Sequence, residues 1–201
     1  MILSDKEKSP SIDATAMVAP TATVCGNVVV GPGVRIMHGA SVIAEGGSIE
    51  LGRNCIVFEH AVIRSTAKCS TIIKDCCLIG PNTHLVGCTI EENVFVATGA
   101  SVFHDAWIER DSEVRINGVV HVRTRLQANS IVPIGWVAVG NPAEILSPDD
   151  EYKIWERLEP LDFPKVVYGV DRPRDRPNNM EQITQHLSDL YGAHLRGLQA
   201  E

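Results

Sequence analysis

The residues able to do chemistry in this 201-residue sequence are seven histidines, six cysteines and scattered acids. His38, His60, His84, His104 and His121 are spread through the first two thirds, and His186 and His194 lie near the end. A neutral imidazole serves as metal ligand or as general base near neutral pH. No His-x-His or His-x-x-x-His pair occurs, so spacing alone marks no metal site. Cys25, Cys55, Cys69, Cys76, Cys77 and Cys88 form no Cys-x-x-Cys motif. In a chain of this length without an export signal they read as small, reduced packing residues.

The element that must position these groups is a six-residue ladder. Aliphatic residues recur at Val18, Val24, Val30, Ile36 and Val42, then at Leu51, Val57 and Ile63, then at Ile73, Ile79 and Leu85. After the loss of one residue the ladder continues through Ile90, Val96, Val102, Ile108, Val114, Val120 and Leu126. That period fits neither an amphipathic helix nor an alternating strand. It predicts an all-β solenoid of hexapeptide repeats, in which about three hexapeptides close one coil. One coil cannot bury its aliphatic residue alone, whereas stacked coils share one core. Gly26-Asn27 and Gly31-Pro32-Gly33 supply corners. Two excursions break the period, at residues 44–48 and 65–71. Insertions of this kind gather on one face of a solenoid and often bind ligands.

Composition agrees with one domain. Hydrophobic residues make up 44% of the chain and aromatics only 5%, as a narrow Val/Ile/Ala interior requires. The formal charge of −7 argues against nucleic-acid and anionic-membrane partners. No apolar run reaches membrane length, and the polar start lacks a signal-peptide core. The expected location is the cytoplasm.

Three segments follow. Residues 1–17 read as a mobile lead-in or extended cap, 18–146 as the solenoid, and 147–201 as a helical appendage. Ser147-Pro148-Asp149-Asp150 is a helix start. Tyr152, Ile154, Trp155 and Leu158 form one face, and Pro160 ends that helix. Residues 161–171 read as an extended arm and 172–179 as a polar linker. Residues 180–198 read as a second helix, with Ile183, Leu187, Leu190 and Leu198 facing inward. Its narrow apolar stripe needs a surface to lie on, its own solenoid or a neighbour's. Exposed strand edges and open solenoid ends favour a homo-oligomer.

Local sequence resembles the γ-carbonic anhydrase branch of the hexapeptide-repeat, left-handed β-helix proteins. The resemblance runs from about Val18 to Leu158 and rests on Ile49-Glu50-Leu51-Gly52-Arg53-Asn54, on Leu78-Ile79-Gly80 through Val86-Gly87-Cys88-Thr89-Ile90, and on Val139-Gly140-Asn141-Pro142-Ala143. It implies a left-handed parallel β-helix with C-terminal helices, a homotrimer, and a metal site between subunits. The positions of the family's three metal histidines fall on Arg64, Pro81 and Val86. Its arginine–aspartate pair falls on Ile43 and Glu45, and its glutamine–aspartate pair on Phe58 and Glu59. Only the two acids keep their chemical type.

The resemblance therefore implies a trimer with a degenerate metal site, no metal cofactor, no carbon dioxide hydratase activity, and a structural or binding role. Arg64 then stands as a fixed positive charge opposite Glu45 or Glu59, in an ion pair between subunits. Metal-less relatives act as assembly subunits, and Val42-Ile43-Ala44-Glu45 with Gly47 and Ile49 resembles the dynactin-type solenoid locally; here the C-terminal tail is the element that docks a protein partner. Two enzymatic alternatives stay open. A relocated zinc or iron site uses Glu59, His60 and His84 across a subunit boundary. An acyltransferase uses coenzyme A with His84 or His104 as general base.

Overall fold

The computed structural model describes residues 1–5, 7–173 and 179–200, the side chains of 197–200 excepted. The chain winds into a left-handed parallel β-helix with three flat faces. Among the described residues one face carries ten strands and each of the others seven. Strands pair in parallel from coil to coil; two strands, 144–146 and 198–200, add antiparallel at opposite ends of the ten-stranded face.

The register shows why the period is six. Val24 pairs with Val42, eighteen residues on, so each coil is three hexapeptides. Ile63 pairs with Leu85, twenty-two on, because the 65–71 excursion is pushed out of the coil. Ile79 pairs with Val96, seventeen on, where one residue is lost. Every ladder residue from Val24 to Leu126 is essentially sealed from solvent, and Val132 and Ala138 extend the column. Corners repeat a left-handed residue, as at Asn54, Asn82, Asn93, Asn117 and Asn129. Asparagine tolerates that conformation better than most residues.

The two excursions stack on each other at one corner. Ser48 Oγ donates to Ser70 Oγ over 3.0 Å, and a Cβ on Gly47 would fall 2.4 Å from the Thr66 carbonyl oxygen.

The ends depart from the sequence expectation in places. Residues 1–17 hold three strands, Ile2–Asp5, Ser11–Ile12 and Met17–Val18, which join the three sheets. The first helix, α1 (Glu151–Leu158), begins after a turn in which Ser147 Oγ accepts from the Asp149 amide. Of its four expected inward residues, Ile154 and Leu158 are partly covered, while Tyr152 and Trp155 face solvent. Trp155 lies instead under Arg172, whose guanidinium sits 4.9 Å from the ring centre. The 161–171 arm is not extended throughout: Pro164–Tyr168 forms a wide helical turn closed by left-handed Gly169. In the second helix, α2 (Met180–Gly197), Ile183 is buried and Leu187 partly so, but Leu190 is exposed. The covered stripe passes through Tyr191 and His194. The linker residues 174–178 and the side chain of Leu198 lie outside the described residues.

Candidate functional site

Strand alternation makes the site. In Val62–Ser65 the side chains of Ile63 and Ser65 enter the core, so those of Val62 and Arg64 point out. Pairing puts Arg64 beside Ile43 on one side and Val86 on the other. Pro81 sits on the corner after strand Leu78–Ile79. Glu45 follows strand Ser41–Ala44, its amide donating to the Ser65 carbonyl.

Arg64 is engaged through Nη2 within its own chain. Its Nη2 donates to Glu45 Oε2 over 2.5 Å and to the Tyr191 hydroxyl over 2.8 Å. The guanidinium carbon lies 5.6 Å from the Tyr191 ring centre. The ion pair is largely shielded, with 26% of the arginine and 17% of the glutamate side chain exposed. Burial works to lower the Arg64 pKa, but the hydrogen bonds to Glu45 and Tyr191 outweigh it and raise it. The group is a permanent cation. One turn of α2 farther on, His194 Nδ1 meets Asp5 Oδ2 at 3.2 Å. These two contacts hold α2 across the ten-stranded face.

Glu45 and Arg64 pair within one chain, where the resemblance implied an ion pair between subunits. The other candidates lie apart. His60 occupies a left-handed corner, its ring against Gly39, where a Cβ would fall 2.4 Å from Nδ1. The carbonyl of Glu59 on the same corner accepts from the Asn82 amide. His84 stands on strand His84–Val86, in register with Val62 and Ser101. Its ring is 6.2 Å from Phe103, which lies 5.6 Å from His121. Phe163 covers Phe103 and His121 edge-on, and Tyr168 abuts Phe163. Burial, then the nearby Arg64 charge, lowers the His84 pKa; burial lowers that of His121. Both imidazoles are packing partners of an aromatic column. Among the described residues of one chain, no three His, Cys, Asp or Glu side chains cluster as metal donors.

Tyr191 is the site residue that sequence reading misses. Its signal is its place in the series Ile183, Leu187, Tyr191, His194, spaced for one helix face.

No family model matches the chain. Gamma carbonic anhydrase 1, mitochondrial, of Arabidopsis thaliana is 31% identical over 147 residues, 70% of this chain and 51% of that protein. Carnitine operon protein CaiE of Salmonella agona is 24% identical over 184 residues, 91% of this chain and 90% of that protein. A hexapeptide transferase family protein from Anaplasma phagocytophilum superposes over 98% of this chain and 96% of its own, with 18% identity and a TM-score of 0.40. The chain spans about half the length of the plant γ-carbonic anhydrases it matches. On its repeat, its fold and these sequence relatives, the chain belongs to the γ-carbonic anhydrase family of hexapeptide-repeat, left-handed β-helix proteins.

Proposed function

We propose that this chain is a trimeric γ-carbonic-anhydrase-like protein with a degenerate metal site, without hydratase activity, serving a structural or binding role. The observation that carries this reading is the Arg64–Glu45 pair at the position the resemblance gives to a metal histidine. In the ancestral chemistry three neutral imidazoles hold an ion and leave one position for water. The ion lowers that water's pKa toward neutrality and supplies hydroxide. Arg64 offers no lone pair because it stays protonated. Pro81 and Val86 offer no donor side chain. These residues do not fit a divalent cation, so no metal cofactor belongs to the reading.

Trimer formation rests on the outer surface of one seven-stranded face. Met17, Arg35, Ile56, Leu78, Phe95, Glu113 and Ile131 stand in register along it. Five of these seven are apolar, and Met17, Phe95 and Ile131 are each more than a third exposed in the single chain. A row of that kind suits burial against neighbouring copies. Residues 18–146 form the working solenoid in this reading, and 147–201 its appendage. A protein partner meets the tail on its outer side, where Leu190 and Leu195 are exposed. The six free cysteines suit a reducing compartment such as the cytoplasm.

The test is carbon dioxide hydration by stopped flow, on protein prepared with added zinc, iron or cobalt. The expected rate is that of buffer alone. A rate above buffer that survives repurification, and falls with His84→Ala, contradicts the reading. Phe95→Glu tests the assembly by sedimentation: a shift from trimer to monomer is expected, and an unchanged trimer removes this face as its interface.

A further inference from the structure

Between the solenoid and its appendage lies an open cleft of about 490 Å³. Its walls are the stacked 65–71 excursion, the His104–Asp105 corner with Arg123 one coil below, and residues 160–166 of the appendage. A volume of this size suits a small-molecule site.

A glycine packed against Cys69 and His104 lets two of these walls meet. Gly87 has a φ of +58°, and a Cβ there would fall 2.6 Å from the Cys69 Cβ and 3.4 Å from His104 Cδ2. The missing side chain allows the loop cysteine and the corner histidine to converge. Cys69 Sγ lies 3.4 Å from Asp105 Oδ1, so the thiol donates to that carboxylate.

Two groups in the lining are unexplained: Asp162, whose Oδ1 is sealed with no hydrogen-bond partner among the described residues, and His104. His104 is 91% buried by residue surface, and its Nδ1 is sealed with no hydrogen-bond partner among the described residues. A sealed lone pair costs less than a sealed N–H, because orphaned donors are the rarer defect in folded proteins. The proton therefore belongs on Nε2. Burial, against the opposing pull of Asp105, lowers the ring's pKa and keeps it neutral. Nε2 is not among the sealed atoms and has no partner among the described residues, so its N–H is the edge the ring presents to the cleft.

The charges around it select the ligand. Lys68 forms no ion pair among the described residues, whereas Arg123 lies 3.9 Å from Asp105 and Lys165 is held by Asp171 at 2.7 Å. One cation is thus uncommitted, and the carboxylates of Asp105 and Asp162 in the lining disfavour a second negative charge on the ligand. Pro160, Leu161 and Val166 give the cleft an apolar wall.

We propose that this cleft binds a small organic monocarboxylate, with Lys68 meeting its charge, His104 Nε2 donating to a carboxylate oxygen, and its apolar body lying on the 160–166 segment. Arg64, Pro81 and Val86 are not among the residues that line this cleft, and the proposal stands whether or not the chain has hydratase activity. The loop excursion that interrupts the repeat is then a ligand wall.

Cys69 reports occupancy. The full chain is treated with iodoacetamide, and modification of Cys69 is followed by peptide mass spectrometry against exposed Cys76 as internal reference. With butyrate or benzoate at about 10 mM, a site of about millimolar affinity is nearly filled, and Cys69 alkylation slows about tenfold while Cys76 is unchanged. Butyramide, which lacks the charge, and inorganic phosphate give no slowing. Lys68→Met, on an exposed loop, and His104→Gln each abolish the protection. No slowing by either acid at about 50 mM, equal slowing by butyramide or phosphate, or protection that persists in Lys68→Met overturns the proposal.

Discussion

Arg64 and Tyr191 are 127 residues apart in sequence, and Nη2 of the first donates to the hydroxyl of the second over 2.8 Å. A solenoid side chain therefore fastens α2, and the same nitrogen holds Glu45. The contact ties the appendage to the position that the sequence resemblance gives to a metal histidine.

Tyr191→Phe removes one hydrogen bond to a charged group and should cost about 1.5–3 kcal/mol of α2 docking. Arg64→Ala should cost more, because it leaves the shielded Glu45 carboxylate without its cation. Limited proteolysis reads the difference. Cleavage within 180–197 should rise in both variants, more in Arg64→Ala, while the solenoid stays intact. Unchanged cleavage would show that the helix is held without the Arg64–Tyr191 contact, by its apolar side chains and His194.

Ile79→Ala tests the shared core. Ile79 is fully sealed and pairs with Val57 above and Val96 below. The truncation should cost about 2–5 kcal/mol, in the range of buried Ile-to-Ala changes. The same change at Ile134, which is 63% exposed, should cost less than about 0.5 kcal/mol. Urea unfolding midpoints compare the two.

Stability should fall as the solution becomes mildly acidic. Burial lowers the folded-state pKa of His84, of His104 and of His121, with Arg64 adding to the effect at His84 and at His104. Above the unfolded value, about 6.5, both states are neutral and the full stability is present. As pH drops through that value the unfolded chain takes up protons that the folded chain refuses, and stability is lost. The loss continues until the folded-state histidines titrate in turn. The urea midpoint should therefore decline between about pH 7 and pH 5, and the decline should shrink in the His84→Gln, His121→Gln double variant. A flat profile in the parent would contradict the neutral, buried assignment.

How much of this was legible in sequence follows from the range of each interaction. The ladder was, because a period of six records contacts between coils at fixed spacing. The positions of both helices were legible from Ser147-Pro148 and from the spacing of Ile183 and Leu187. Their faces were less so. Judging apolarity alone selected Leu190, whereas the face that packs carries Tyr191 and His194, whose polar tips reach Arg64 and Asp5. Apolarity alone likewise points Trp155 inward, although its ring finds Arg172 outside. The resemblance set Arg64 opposite Glu45 or Glu59 across subunits; that Glu45 of the same chain takes this place depends on how the 44–48 excursion folds back over Ser65. The aromatic column of Phe103 and Phe163 joins the solenoid to the appendage across sixty residues and leaves no local mark.

Metal content per subunit of the purified protein, after growth with added zinc, iron and cobalt, shows whether Arg64 has displaced a metal ion. With Arg64, Pro81 and Val86 at the ligand positions, metal should stay at background for all three ions. The triple variant Arg64→His, Pro81→His, Val86→His should gain metal. Near-stoichiometric metal in the parent chain, lost on His84→Ala, would contradict the account and show that the site has moved.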